Sequence, residues 1–157
     1  MLRRKYLSLG LGELVSAGVF VTVAVLIVSP QVEAWTDTAA LWAAFIPLLI
    51  ILIQAGVYWL CARSWVERMH MPPRLAAFYR TFQIVNVCLL ASSLFGIISW
   101  LPTHPGLALV VVGAWIFGVI EHINYFVVRL AYPIQRWPFM VRQLRQPQLI
   151  FDLAASR

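Results

Sequence analysis

The chain has 157 residues, of which 62% are hydrophobic and 11% charged, with a formal net charge of +6. A typical globular chain is about 45–50% apolar and about 25% charged, so this one has too few charges to cover a water-facing surface. Composition excludes a water-soluble enzyme, a disordered tail and a disulfide-rich secreted module, and leaves an integral membrane protein.

A transmembrane helix needs about 20 mostly apolar residues. In chain order, four stretches qualify: 7–28, 39–61, 79–101 and 107–132. The N-terminus resembles a signal peptide, with Arg3, Arg4 and Lys5 before an apolar run and Val32-Glu33-Ala34 after it. A signal h-region spans only about 7–15 residues. This run is longer and carries Glu13, so it is read as a retained first helix. The second stretch contains Pro47, which is expected to bend the helix or loosen its hydrogen bonds. Pro72-Pro73 is a helix-start signal ahead of the third. Cys61 and Cys88 lack a CxxC spacing and read as small buried apolar residues.

The positive charge is read by position rather than as a nucleic-acid footprint, and no nucleic-acid partner is expected. Arg3, Arg4 and Lys5 precede the first stretch. Arg63, Arg68, Arg74 and Arg80 lie between the second and third, and Arg129, Arg136, Arg142, Arg145 and Arg157 lie at the end of the fourth or beyond. The loops after the first and third stretches have none, and carry Glu33, Asp37 and His104 instead. By the positive-inside rule, both termini are expected in the cytoplasm. Aromatic belts agree, with Trp35, Trp42 and Trp100 near the outer boundary and Tyr58, Trp59, Trp65 and Trp137 near the cytoplasmic one.

The expected fold is therefore all-α: an integral membrane bundle of four transmembrane helices over residues 1–132, then a basic amphipathic cytoplasmic tail over 133–157. The tail mixes arginines with Trp137, Phe139, Met140, Leu144, Leu149, Ile150 and Leu153, and Pro138 and Pro147 cut it into short pieces. Such pieces suit an anionic headgroup surface, with docking to a partner as the alternative.

Ionisable groups inside a span are costly and point to function. At 1.5 Å per residue, Glu13 lies roughly 12 Å from Lys5 and Glu121 roughly 12 Å from Arg129. Gln54 and Asn86 fall at similar depths from Arg63 and Arg80. Gln83, His122, Asn124 and Tyr125 join them, which makes an intramembrane polar layer in the cytoplasmic half. Ala114, Gly118, Glu121 and Tyr125 share one helical stripe, and Gly10, Glu13, Ala17 and Phe20 share another. Small residues at Ala17, Ala114 and Gly118 allow helices to approach closely, so both acids are expected on packing faces. Two acids in low dielectric would not both stay ionised. One would take a proton, or pair with His122 or an arginine, or hydrogen-bond Gln54, Gln83 or Asn86.

Metal chemistry finds little support. Glu121 and His122 are adjacent, so about 100° apart on a helix, and neither acid has the Glu-x-x-His spacing of a di-iron bundle. His70, His104 and His122 lie in different loops or depths, which disfavours a haem between two histidines. The chain has no Gly-rich phosphate loop, HExxH or GxSxG. No catalytic residue, metal or cofactor is expected.

The stretch Glu121-His122-Ile123-Asn124-Tyr125-Phe126, continuing to Arg129-Leu130 and Tyr132-Pro133, is the most distinctive local sequence. It resembles the fourth-span end of small bacterial four-span membrane proteins of uncharacterised activity, which carry E-x-I-N-Y-F/Y followed by a basic tail. The resemblance implies a four-span fold and no particular activity. The expected role is that of a small structural or accessory protein of the bacterial inner membrane. It would act through helix contacts and a basic face that meets anionic lipid, as a homo-oligomer or with other membrane subunits. The alternatives are a small proton-coupled transporter or channel using Glu13 and Glu121, and an enzyme acting on a lipid-phase substrate.

Overall fold

The computed structural model describes residues 2–65, 71–128 and 146–155. Among them the fold is all-helical, and four helices are long and apolar enough to cross a membrane. Apolar surroundings offer the backbone no water, so each segment must satisfy its own N–H and C=O groups, and the helix does so. α1 spans Leu2–Thr22 and continues as a wider π turn over Val23–Val28 and a 3₁₀ turn over Ser29–Gln31. The widening has a local cause. Pro30 lacks an N–H, and its ring would clash with the carbonyl four residues back in a regular α-helix. The chain relaxes ahead of it, so that Ser29 N–H donates to the Ala24 carbonyl.

α2 spans Trp35–Ala62 and runs through the buried Pro47 as one helix. α3 spans Pro73–Ser99 and starts at the second proline of the Pro72-Pro73 pair, with Pro72 extended ahead of it. α4 spans Pro105–Phe126 and also begins on a proline. It ends short of the expected residue 132: Val127 leaves helical geometry, and the N–H groups of Val127 and Val128 both donate to the Ile123 carbonyl at 2.9 Å. The other helices start before their apolar windows, because backbone hydrogen bonding does not begin where hydropathy does, and α3 ends at Ser99, two residues short of its window.

α2 is the central helix. It packs against α1, α3 and α4, and 61% of its most apolar window is buried against 11%, 28% and 22% in α1, α3 and α4. At one end Tyr6 of α1 meets Trp59 of α2 edge-on at 4.9 Å, and Tyr58 meets Tyr79 of α3 at 5.7 Å. This end also carries Arg3, Arg4, Lys5, Arg63, Arg74 and Arg80 and is called the basic end. At the far end Trp35 of α2 and Trp100 after α3 stand edge-to-face at 6.0 Å. The helices thus alternate up and down. The core falls into two clusters, one at the basic end around Tyr58, Tyr79 and Tyr125, and one toward the far end around Leu41, Phe45, Leu48 and Val111.

The described part of the tail packs on the bundle. α5, Gln148–Ala155, folds back onto the bundle at the basic end, with Leu149 and Leu153 buried in the core cluster and Phe151 exposed. Leu149, Asp152 and Leu153 are spaced i, i+3, i+4, so one face of a short helix carries all three. The expectations placed on Arg68, His70, Arg129, Tyr132, Arg136, Trp137, Phe139, Met140, Arg142, Leu144, Arg145 and Arg157 lie outside the described residues.

α1 and α2 cross most closely at two glycines. A Cβ added at Gly56 would sit 2.8 Å from Leu14 Cγ and 3.1 Å from the Gly10 carbonyl oxygen, and one added at Gly10 would sit 3.0 Å from the Gly56 carbonyl oxygen. Gly118 is roomier, with Leu90 at 3.5 Å and the Leu48 Cα at 3.6 Å from its added Cβ. We expect Gly56→Ala to destabilise the detergent-solubilised protein by about 1–3 kcal/mol, the usual cost of overpacking, and Gly118→Ala to leave the melting temperature unchanged. Gly118→Leu should lower it well below the effect of Leu109→Ala, because Leu109 is 76% exposed. Thermal unfolding of the four variants checks the order.

Candidate functional site

The polar residues of the four helices meet near the basic end, but as two separate groups. Gln54 of α2 and Asn86 of α3 form a closed amide pair: Gln54 Nε2 donates to Asn86 Oδ1 at 3.2 Å, and Asn86 Nδ2 donates to Gln54 Oε1 at 2.7 Å. Both are buried. The pair satisfies one donor and one acceptor on each side chain, as burial demands. Tyr79 Oη adds a bond to the Gln54 backbone carbonyl at 3.1 Å. Gln83 is half-buried and joins neither group.

The second group links α2, α4 and α1 in series. Trp59 Nε1 donates to Tyr125 Oη at 3.0 Å, and Tyr125 Oη donates to Glu13 Oε1 at 2.5 Å. The Glu13 and Tyr125 stripes therefore do face each other. The partner of the acid is a phenol rather than His122, an arginine or an amide. Glu121 lies close enough to Glu13 for electrostatic interaction and is hydrogen-bonded to Asn124 one turn on. Its Oε2 is buried without a hydrogen-bond partner. His122 is buried on another side of α4, where its ring stacks on Phe126 at 5.1 Å, and its Nδ1 has no hydrogen-bond partner. Ala17 and Ala114 belong to the far-end core cluster, and Gly118 is buried against Leu48 and Leu90. These residues do line packing faces.

Two of the aromatic residues expected near the cytoplasmic boundary hold the C-terminal helix. Tyr58 Oη and Trp65 Nε1 both donate to Asp152 Oδ2, at 2.8 and 3.0 Å, and Gln148 Nε2 donates to Asp152 Oδ1 at 3.0 Å. Arg80 Nη2 donates to the Leu153 carbonyl at 2.7 Å. A cation on a C-terminal helix carbonyl also complements the helix dipole. Sequence reasoning missed Asp152. The available signal was an acid flanked by leucines at i−3 and i+1 in an otherwise basic tail.

A cavity of about 90 Å³ lies beside the second group, between α1, α2, α4 and the start of α5. A second, of about 440 Å³, lies at the far end between the last turns of α1 and the start of α4, where Asp37 and His104 join apolar side chains. Among the described residues no group of three or more His, Cys, Asp or Glu could hold a metal ion. No family model, curated protein or solved structure matches the chain.

The amide pair generates a prediction. Gln54→Leu leaves Asn86 buried with unmet hydrogen bonds, which costs about 1–3 kcal/mol. The double substitution Gln54→Leu with Asn86→Leu removes both polar groups and should recover much of that loss. A thermal double-mutant cycle in detergent reads the coupling, and strict additivity would break the pairing.

Proposed function

We propose that the protein is a small structural or accessory component of a bacterial inner membrane. In this reading both termini face the cytoplasm, and the protein works through helix contacts and a basic cytoplasmic face. The observation that carries the reading is the sealed interior. Toward the far end Ala40, Leu41, Ala44, Phe45, Leu48 and Val111 are all at most 2% exposed. A solute crossing one copy would have to part this apolar packing, and packed cores resist opening. On the other side Gln54 and Asn86, and Glu13, Tyr125 and Trp59, are engaged with one another across helix interfaces, as expected of groups that specify which faces meet. One face open to a neighbouring helix is on α1, where Ser8 and Gly12 are exposed four residues apart and nothing lies within 4 Å of a Cβ at Gly12. Small residues at that spacing permit close helix approach.

A second reading, proton or cation handling by Glu13 and Glu121, draws on the buried, unbonded Oε2 of Glu121. Flux separates the two. Liposomes containing the purified protein should show no proton or cation flux above protein-free liposomes at acid, neutral or alkaline pH. Flux that Glu13→Gln and Glu121→Gln abolish without unfolding the protein would replace the accessory reading with the transporter reading.

The orientation rests on the distribution of arginine and lysine. Single cysteines introduced at Asp37 and Ser64, in a background lacking Cys61 and Cys88, should react with an impermeant maleimide from outside the cell at position 37 and only after permeabilisation at position 64. The reverse pattern would invert the protein.

A further inference from the structure

Toward the far end α1 and α4 meet through Phe20 and Phe117, whose rings lie 5.5 Å apart. Past that pair the cavity of about 440 Å³ separates them. Its shape begins in the sequence. Pro30 turns the end of α1 into a π turn and then a 3₁₀ turn, and Ile27, Val28 and Gln31 of those turns, with Val32 just after them, form one wall. Leu107 and Val110 of α4 form the other. Asp37, in the first turn of α2, and His104, the residue before α4, add two polar side chains. The imidazole is seated by a glycine: a Cβ at Gly106 would lie 3.1 Å from His104 Cε1 and 3.3 Å from its Nδ1. Among the described residues no hydrogen bond engages the side chains of Gln31, Asp37 or His104.

Each half of this wall selects something. Packed proteins keep few voids larger than a water molecule, and an aliphatic wall gives water no hydrogen bonds. An aliphatic chain fills such a space, and the volume lies in the range of about 300–1,000 Å³ that small-ligand sites occupy. Ile27 and Val110 are exposed, so the apolar part opens on the outer surface of the bundle, where a chain can enter. The polar part asks for a different group. The Asp37 carboxylate only accepts hydrogen bonds, so whatever meets it must donate, whereas the Gln31 amide and a neutral imidazole at His104 each both donate and accept. A hydroxyl gives to the first and takes from the other two. A phosphate has only acceptors and is repelled by Asp37, and an ammonium has only donors and leaves the amide and imidazole N–H groups unmet. We propose that this cavity binds an uncharged amphiphile with an aliphatic tail and a hydroxyl-bearing head, of the monoacylglycerol kind. Asp37 accepts from a head hydroxyl, Gln31 and His104 donate to its oxygens, and the tail lies between the widened end of α1 and the start of α4. The site is separate from the helix contacts and the basic face, so the flux and orientation measurements do not bear on it.

Native mass spectrometry of the full chain in lauryldimethylamine oxide, a detergent without hydroxyls, tests this with three probes: 1-octanoylglycerol, its di-O-methyl ether and octylamine. Octanoylglycerol should saturate as a single bound molecule and bind about ten-fold or more tightly than the ether, which keeps the tail and the oxygens but has no O–H to give. It should also bind more tightly than octylamine. Val110→Phe fills the cavity and leaves the polar side chains in place, and should abolish binding. Asp37→Asn should weaken it by about five-fold or more, since a hydrogen bond to a charged acceptor is the stronger kind. Phe95→Leu, on the exposed face of α3 at the same end, should leave it unchanged. Equal affinity for alcohol and ether, tighter binding of octylamine, no saturable binding, or full affinity in a folded Val110→Phe or Asp37→Asn protein would each overturn the proposal. The comparison of the three probes on the parent chain keeps the test decisive if a variant does not fold.

Discussion

The close crossing of α1 over α2 at Gly10 and Gly56 is the contact on which the arrangement at the basic end depends. Each glycine sets its missing Cβ against the carbonyl of the other, so the two backbones approach to a distance that side chains would forbid. Glu13 is the next residue of α1 on the same stripe, one turn on from Gly10. Only with α1 held this near can its carboxylate reach Tyr125 of α4, which in turn receives Trp59 of α2. Pushing α1 outward would cost more than apolar packing, because it would leave a carboxylate in an apolar setting without its donor.

Burial explains why the polar residues divide into two groups instead of one continuous layer. Each buried polar atom needs a partner in reach, and reach is set by which helices touch. α2 and α3 bring two primary amides face to face, and such groups close on each other as donor and acceptor. α1 and α4 offer an acid and a phenol, which close in one direction and leave acceptors over. The first group is therefore self-contained, and the second retains chemistry. A small void of about 10 Å³ bordered by Gln54, Tyr58, Tyr79 and Tyr125 lies between them.

Much of this was legible in the sequence. Four apolar runs, the helix-start signal at Pro72-Pro73 and the stripes through Glu13 and Glu121 each rest on local pattern, and the structure has helices and packing faces there. The membership of the polar layer was partly legible, since depth along each helix follows from residue spacing. Pairing was not, because which side chain meets which depends on helix rotation and neighbour order. The spacing puts Tyr125 rather than His122 on the stripe with Glu121, but it does not show that the phenol, and not an amide or an arginine, is the partner of Glu13. The glycine pair was hidden for the same reason: Gly10 and Gly56 are 46 positions apart in the chain, and each taken alone is an ordinary small residue. The contact of α5 was not legible because composition speaks only to a headgroup surface, while Asp152 makes specific bonds to the bundle.

That alternative follows from how few acids the chain has. Asp152 is one of six, and it accepts from Tyr58, Trp65 and Gln148. Those donors are a phenol and an indole at the end of α2, where a lone aromatic belt would leave them facing water or headgroups. Once α5 lies across them, Leu149 and Leu153 complete the core cluster that Tyr58 and Tyr79 begin. The same docking brings Gln148 to the cavity beside Glu13. A segment that four-helix arithmetic treats as an appendage thus supplies one wall of a cavity in which the acid of α1, the phenol of α4 and the indole of α2 meet. The docking of α5 and the surroundings of Glu13 are therefore coupled through geometry, and whatever shifts α5 also reshapes the cavity beside Glu13.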